Sequence, residues 1–194
     1  MDLLRSKSLD RNSFDSGDWF NRLDWTYSDN GFAAGLPPRP DNGKDWELLR
    51  PVLRNANAKP SPADIAWMRD AFRDLLRIRA STPLFRLRSA DEVQRRLAFR
   101  NAGPAQNPLV IAGHLDGSGM AGAFAEVLYL LNVSPEPQTL VLPDDAGKAY
   151  VLHPLQAAGS AADARAKQAR YRAADGHFSV PGRTAVVFVI ERKE

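Results

Sequence analysis

The side chains best suited to chemistry are concentrated in residues 3–25, LLRSKSLDRNSFDSGDWFNRLDW. This stretch holds four basic residues, four carboxylates, four serines and two asparagines, and Trp19, Phe20 and Trp25 close it. Its apolar residues follow neither a 3.6-residue nor a 2.0-residue period, which predicts an ordered loop. Planar amide, carboxylate and guanidinium groups beside a Trp ring suit a sugar, whose hydroxyls take hydrogen bonds while its C–H face stacks on the ring.

The carboxylates of this stretch are Asp10, Asp15, Asp18 and Asp24. Two carboxyl groups about 5 Å apart, one of them with a raised pKa, are what a retaining glycosidase needs. Four acids among four bases more often form ion pairs and turn caps, and neighbouring cations lower a carboxyl pKa. We therefore predict no catalytic residue in the loop.

The rest of the sequence shows no pattern typical of a metal site or a nucleotide-binding site. His114, His153 and His177 lie on or beside three different predicted strands, with no second His two or four residues away, so no metal site is predicted. The glycine-rich run at 113–122 matches no phosphate-binding motif and is interpreted as a hairpin connection. The chain has no Cys, which excludes disulfides and thiolate metal sites.

Composition narrows the class of partner. The net charge is +3 with no block of Lys and Arg, which argues against nucleic acid as a partner. No apolar run approaches the roughly 18 residues of a membrane helix, so no membrane association is predicted. The sequence assigns no cellular compartment.

Residues 26–60 are interrupted by Gly and Pro and are predicted to be irregular, apart from a short helical turn near Trp46. One long helix is predicted at residues 62–80, with Ser61 as N-cap and Asp64 closing a capping box. Its apolar stripe comprises Ile65, Met68, Phe72, Leu75 and Leu76, widened by Trp67, Ala71 and Ile78.

The pattern after Pro83 changes to short β-type runs between turns. Strands are predicted near residues 84–87, 93–99, 109–114, 125–132, 138–142, 150–152, 177–180 and 185–190. Residues 161–174 are rich in Ala and Arg and are compatible with a helix, but an irregular excursion is preferred. The predicted fold is mainly β: an antiparallel β-sandwich preceded by a long loop segment and one helix.

Several motifs together resemble the pullulanase-type debranching enzymes of the α-amylase superfamily, including limit dextrinases. They are LLRSKS, DRNSFDSGDWFNRLDW, GLPPRPDNGKDW, SxPLFRL, RxxFRNxG and GHFSVPGRTAVVFV, spread from residue 3 to residue 189. The main departure is Phe14, where a Tyr is usual. The resemblance implies that the loop follows the last strand of a (β/α)8 barrel, whose active site lies at the strand-to-helix loops, and that the long helix completes this barrel.

The resemblance also implies roles for single residues. Arg5 and the turn at Asp41 and Asn42 become candidates for binding substrate, because the family lines sugar subsites with this loop region. Lys7 and Asn21 are further candidates for sugar contact. Four residues are interpreted as supports of the loop, of which the rings anchor it and the carboxylates tie it by hydrogen bonds: Asp18, Trp19, Phe20 and Asp24.

Two interpretations of the whole chain remain open. The first is a C-terminal fragment of an α-1,6-glucosidase, with residues 1–81 completing the barrel and residues 82–194 forming the sandwich. Its partners would be α-glucans such as pullulan and branched limit dextrin, and the chain alone is expected to hydrolyse nothing. No cofactor is assigned, and any calcium would belong to the parent enzyme. The second is a free-standing carbohydrate-binding or interaction module.

Overall fold

The computed structural model describes residues 2–192. The chain forms two compact units, Met1–Arg73 (unit 1) and Asp74–Glu194 (unit 2), and the division falls inside its longest helix. The boundary between residues 81 and 82 inferred from the resemblance concerns the domains of a longer enzyme and stays a prediction.

Unit 1 contains short helical elements joined by irregular chain. They are 3₁₀ turns at Lys7–Leu9, Ser13–Asp15, Gly43–Asp45 and Ala56–Ala58, and α-helices α1 (Asp18–Asn21), α2 (Arg39–Asn42) and α3 (Trp46–Arg54). The predicted ordered loop is confirmed, because no regular element between Arg5 and Gly17 exceeds three residues. Helix α3 is longer than the predicted turn. Pro51 lies inside it, and an interior Pro is read in a sequence as a helix breaker.

The predicted long helix is confirmed as α4 (Pro62–Ala80). Its capping box forms as expected: the Ser61 hydroxyl accepts the Asp64 amide at 3.2 Å, and the Asp64 carboxylate accepts the Ser61 amide at 2.8 Å. Ile65 and Ile78 are buried, whereas the other large apolar residues of the stripe remain half-buried or exposed.

Unit 2 holds eight strands and two more helices among the described residues. The strands are β1 (Leu97–Phe99), β2 (Val110–Asp116), β3 (Phe124–Asn132), β4 (Gln138–Val141), β5 (Val151–Leu152), β6 (Arg170–Arg172), β7 (His177–Val180) and β8 (Thr184–Glu191); the helices are α5 (Ala90–Arg96) and α6 (Pro154–Ala157). One sheet has the order β1-β2-β3-β8-β5 and the other β4-β7-β6, and all pairings are antiparallel. The predicted antiparallel sheets are confirmed.

The two sheets share one apolar core, because alternate residues of each strand point to the same face. This core includes Leu128 and Leu130 of β3, Phe178 of β7 and Phe188 of β8. A second cluster, which includes Val127 and Val189, uses the alternate positions of β3 and β8 and packs with the end of α4 at Ile78.

Three predicted elements need correction. The strand predicted at residues 84–87 is absent: residues 84–86 belong to a 3₁₀ turn, Pro83–Arg86, which the Thr82 hydroxyl caps by accepting the Leu84 amide at 3.3 Å. Residues 93–96 belong to α5, which the Ser89 hydroxyl caps, and only the following three residues form a strand. The 161–174 excursion lacks the alternative α-helix, but it contains a 3₁₀ turn and the missed strand β6.

Candidate functional site

Three of the predicted substrate-binding residues meet in one hydrogen-bond network of unit 1. The Arg5 guanidinium donates to the backbone carbonyl of Asn21 at 3.0 Å. The side-chain amide of Asn21 donates to the backbone carbonyl of Ser13 at 2.7 Å. The Lys7 ammonium donates to the Ser13 hydroxyl at 2.6 Å. Residues far apart in the loop are thus brought to one place, with two cations converging on the linked pair Ser13 and Asn21.

The other two predicted residues, Asp41 and Asn42, differ sharply in exposure. Asn42 is 1% exposed, and its side chain accepts the Arg11 amide and donates to the Asp10 carboxylate at 2.9 Å. The Asp41 side chain is 40% exposed and lies 4.0 Å from the Arg11 guanidinium. Asn42 therefore fixes the turn from inside, while Asp41 presents its carboxylate to solvent.

Helix α1 carries three of the four predicted supporting residues. The Trp19 indole donates to the Ala34 carbonyl at 3.1 Å, and the Arg22 guanidinium lies 4.6 Å above its ring. Asp18 is exposed at the first position of α1, and its carbonyl accepts the Arg22 amide at 2.8 Å. Phe20 is half-buried. The indole is tied to the chain while its ring remains more than half exposed.

The fourth supporting residue, Asp24, organises the turn that follows. Its carboxylate accepts hydrogen bonds from the amides and hydroxyls of Thr26 and Ser28 and from the Asp29 amide, at 2.6–3.0 Å. These bonds, led by those from Thr26, hold the pKa of Asp24 far below its ordinary value. The carboxylate stays charged and acts as a fixed acceptor.

Two other carboxylates of residues 1–60 have lowered pKa values. Burial raises the pKa of Asp10, but hydrogen bonds from Ser16 and Asn42 outweigh this and leave it below the ordinary value. The Lys59 ammonium, through its hydrogen bond, lowers the pKa of Asp29. All three carboxyl shifts in residues 1–60 favour the ionised carboxylate, which is opposite to the need of a general acid near neutral pH.

A half-open cavity of about 360 Å³ lies beside this network and is lined by Leu3, Arg5, Arg22, Asp24 and Asn30, among others. The Nε of Arg5 is buried and has no hydrogen-bond partner within residues 2–192. Buried donors rarely remain unpaired in native proteins. Because Asp24 is saturated, the cationic guanidinium of Arg5 is the better candidate in this cavity for contact with a hydroxylated or anionic group.

Comparison with known proteins decides the family. The model of the C-terminal region of pullulanase-type alpha-1,6-glucosidases matches residues 27–191. The chain belongs to this family. The match covers unit 2, up to residue 191, and most of unit 1, including α2 to α4.

Individual pullulanases are similar along the whole chain. Pullulanase 1, chloroplastic, of Arabidopsis thaliana is 40% identical over 98% of this chain, which covers 20% of that protein. The pullulanase of Klebsiella pneumoniae is 34% identical over 100% of the chain, which covers 18% of it. The chain thus spans about a fifth of the length of the curated relatives it matches.

Solved pullulanase structures share the fold. The crystal structure of PulA from Klebsiella oxytoca matches with a TM-score of 0.87 and 30% identity, covering 100% of this chain and 18% of that one. A maltotriose complex of PulA from Klebsiella pneumoniae matches with a TM-score of 0.83 and 30% identity, covering 100% of this chain and 21% of that one.

The structure also reveals site residues that sequence reasoning missed. Ser8 is fully buried and donates to the Gly35 carbonyl, and Asn30 donates to the Leu4 carbonyl at 2.9 Å. Ser13 joins Lys7 to Asn21. Single serines and asparagines in a loop give no periodic signal, so the partners of these side chains become visible only in the folded chain.

Unit 2 gathers His114, Glu126 and Asp145, whose potential ligand atoms all lie within 4.8 Å of one another. The Lys148 ammonium lies 2.7 Å from Glu126 and 2.9 Å from Asp145, and therefore fills the place of a cation between the two carboxylates. Burial opposes charge on Lys148, but the hydrogen bonds that its ammonium donates to these carboxylates raise its pKa. We interpret this cluster as a buried ion pair that supports the sandwich.

No helix among residues 2–192 combines the length and the apolar character needed to cross a membrane.

Proposed function

We propose that the chain is the C-terminal part of an α-1,6-glucan debranching hydrolase. The family match over residues 27–191 carries this proposal. In it, unit 1 lines the glucan-binding cleft of the parent enzyme and the β-sandwich of unit 2 supports the catalytic region. The similarity to pullulanases along the whole chain, including one solved with maltotriose, supports an α-glucan as the ligand.

The proposal makes α4 the last helix of the parent's (β/α)8 barrel. Support comes from the apolar side of α4, where Phe72, Leu75 and Leu76 are 39–48% exposed. Large apolar side chains clustered on one helix face are typical of a surface that packs against a partner. In the proposed enzyme this partner is the rest of the barrel.

Within the cleft, we assign sugar contact to Arg5, Lys7, Asn21 and Asp41. The first three share one hydrogen-bond network, and Asp41 presents an exposed carboxylate. Asn42 contributes by holding the Asp41 turn, since its side chain is buried and bonded within the loop. Such cations, amides and carboxylates match the hydroxyls of a glucosyl unit.

The proposed parent cleaves the α-1,6 bond by the retaining mechanism, in which a carboxylate nucleophile forms a glycosyl-enzyme that water then hydrolyses. Neither the nucleophile nor the general acid is assigned to this chain. The lowered pKa values of Asp10, Asp24 and Asp29 support this assignment, because a general acid near neutrality needs a raised pKa. The chain alone is therefore expected to bind glucan without turnover.

The test compares the purified chain with a chimera in which it replaces the matching C-terminal region of Klebsiella pneumoniae pullulanase. Reducing ends are measured with pullulan and with a branched limit dextrin. We expect turnover by the chimera and none by the chain. A chimera that folds but neither cleaves pullulan nor binds maltotriose would contradict the proposal.

Catalysis by the isolated chain would also contradict the proposal. If the chain alone released reducing ends, and a variant lacking Asp10, Asp15 and Asp18 did not, the loop would itself be catalytic. Maltotriose binding by the chain, combined with an inactive chimera, would instead favour the free-standing carbohydrate-binding module.

A further inference from the structure

The turn Lys7–Leu9 has an unusual backbone. Lys7, Ser8 and Leu9 have φ angles of 51°, 50° and 63°, and Leu4 shortly before them has 49°. These angles lie in the left-handed region, which residues with a Cβ atom occupy at an energetic cost and rarely consecutively. None of the four is a glycine, so the surrounding structure must impose this conformation.

The neighbouring segment, residues 30–35, supplies the constraint. Ser8 is 0% exposed, and its hydroxyl donates to the Gly35 carbonyl at 2.5 Å. The Asn30 carbonyl accepts the Ser6 amide at 2.9 Å, and the Asn30 side chain donates to the Leu4 carbonyl at 2.9 Å. The left-handed turn is therefore held on its N-terminal side and at its centre.

This turn determines where two cationic side chains point. Arg5 and Lys7 both reach the 13–21 segment, where Arg5 contacts the Asn21 carbonyl and Lys7 contacts the Ser13 hydroxyl. Ser13 and Asn21 are themselves hydrogen-bonded to each other. The two cations therefore form one surface, and a different backbone at Ser8 would move both away from the 13–21 segment.

We infer that Ser8 is a positioning residue for α-glucan binding. Its buried hydroxyl holds the left-handed turn, and the turn keeps the donors of Arg5 and Lys7 in a single arrangement before the sugar arrives. Preorganised donors bind more tightly because less conformational freedom is lost on binding. Ser8 is fully buried and contacts no ligand itself. The inference rests on the proposed function and adds a residue that acts through others.

The test uses the chimera described above, carrying Ser8→Ala. The variant should raise KM for pullulan and Kd for maltotriose about tenfold while kcat changes less than about twofold, since loss of one buried hydrogen bond loosens positioning rather than chemistry. Ser134→Ala is the matched control. Ser134 is a 7% exposed serine of unit 2 whose hydroxyl accepts the Glu136 amide at 3.0 Å. Its loss should leave KM and Kd unchanged.

A second pair of variants tests the backbone directly and decides the matter if Ser8→Ala does not fold. Leu9 has a φ of 63°. Leu9→Asn should keep KM within about twofold because Asn tolerates this region, whereas the β-branched Leu9→Val should raise KM.

Three outcomes would overturn the inference. The first is an unchanged KM in a folded Ser8→Ala variant. The second is an equal effect of Asn and Val at Leu9. The third is a fall in kcat at constant KM. A wild-type chimera that binds no maltotriose and cleaves no pullulan would reject the proposed function itself, which separates the two failures.

Discussion

The two units are stabilised in different ways. Of the 23 buried apolar residues among those described, only Leu3, Phe32 and Ile65 belong to unit 1. Unit 2 buries the rest between and beside its sheets, including the aromatic group around Phe178. Unit 1 relies on side-chain hydrogen bonds to its own loops, such as those of Asp24 and Asn42.

Backbone strain is divided just as unevenly. Of the seven described non-glycine residues with positive φ, six lie in unit 1 and only Arg183 lies in unit 2. Strained backbone is concentrated at functional sites, where shape matters more than stability. Unit 2, with its large apolar core, therefore has the features of a self-sufficient support. Unit 1, with its strained and hydrogen-bonded loops, has those expected of the proposed binding surface.

The largest expected effect is on the sandwich core. Phe178 is 0% exposed and lies 4.6 Å from the ring centre of Tyr171 and 5.3 Å from that of Phe188. Phe178→Ala should lower the free energy of unfolding of unit 2 by about 4 kcal/mol, because it leaves a cavity. Urea denaturation of the chain measures this change. A loss below about 1 kcal/mol would show that unit 2 does not depend on this core.

The next effect concerns the ion pair in unit 2. Lys148→Met should cost about 3 kcal/mol, because it leaves the buried Asp145 carboxylate with the more distant Arg100 guanidinium, 3.5 Å away, in place of the ammonium at 2.9 Å. The same change at the exposed Lys44 is the matched control and should be nearly neutral. Urea denaturation of both variants decides the point, and equal midpoints would contradict the role of the cluster.

A smaller effect is expected in unit 1. Asn42→Ala removes the donor to Asp10 and the acceptor of the Arg11 amide. We expect the free energy of opening at the Arg11 amide to fall by about 2 kcal/mol, while the stability of unit 2 is unchanged. Hydrogen exchange followed by NMR measures it, with the exposed Asn57→Ala as control. A shift in the unfolding midpoint of unit 2 would contradict the independence of the two regions.

The smallest effect depends on pH. Burial lowers the pKa of His153 below its ordinary value of 6.5, and its Nδ1 accepts the Leu155 amide. Below pH 6.5 the unfolded chain binds a proton that the folded chain excludes, so stability should fall as pH falls, by no more than about 1.4 kcal/mol per pH unit. His153→Asn can still accept this amide and should flatten the dependence. An unchanged slope in the variant would reject His153 as its cause.

Sequence patterns predicted those elements whose signals are local. Helix α4 was predictable from its capping residues and apolar period, and β2, β3 and β8 from their β-type runs. The start of α5 was missed because its cap, Ser89, is a common loop residue and its helix is only seven residues long.

The candidate site was predictable in residue type but not in arrangement. Arg5, Lys7 and Asn21 stand out as sugar-binding types, yet their convergence depends on a left-handed turn without glycine. The burial of Asn42 likewise depends on Asp10, 32 positions away. Contacts of such long sequence separation leave no periodic pattern in a loop.

The proposal that unit 1 binds glucan and unit 2 supports the structure is tested most directly by mapping where glucan binds. Hydrogen exchange of the chimera, measured by mass spectrometry with and without maltotriose, reports protection peptide by peptide. The account predicts slower exchange in peptides covering residues 5–21 and 38–42, and no change in β1 to β8. Protection of the sandwich strands with none in residues 5–21 would contradict it.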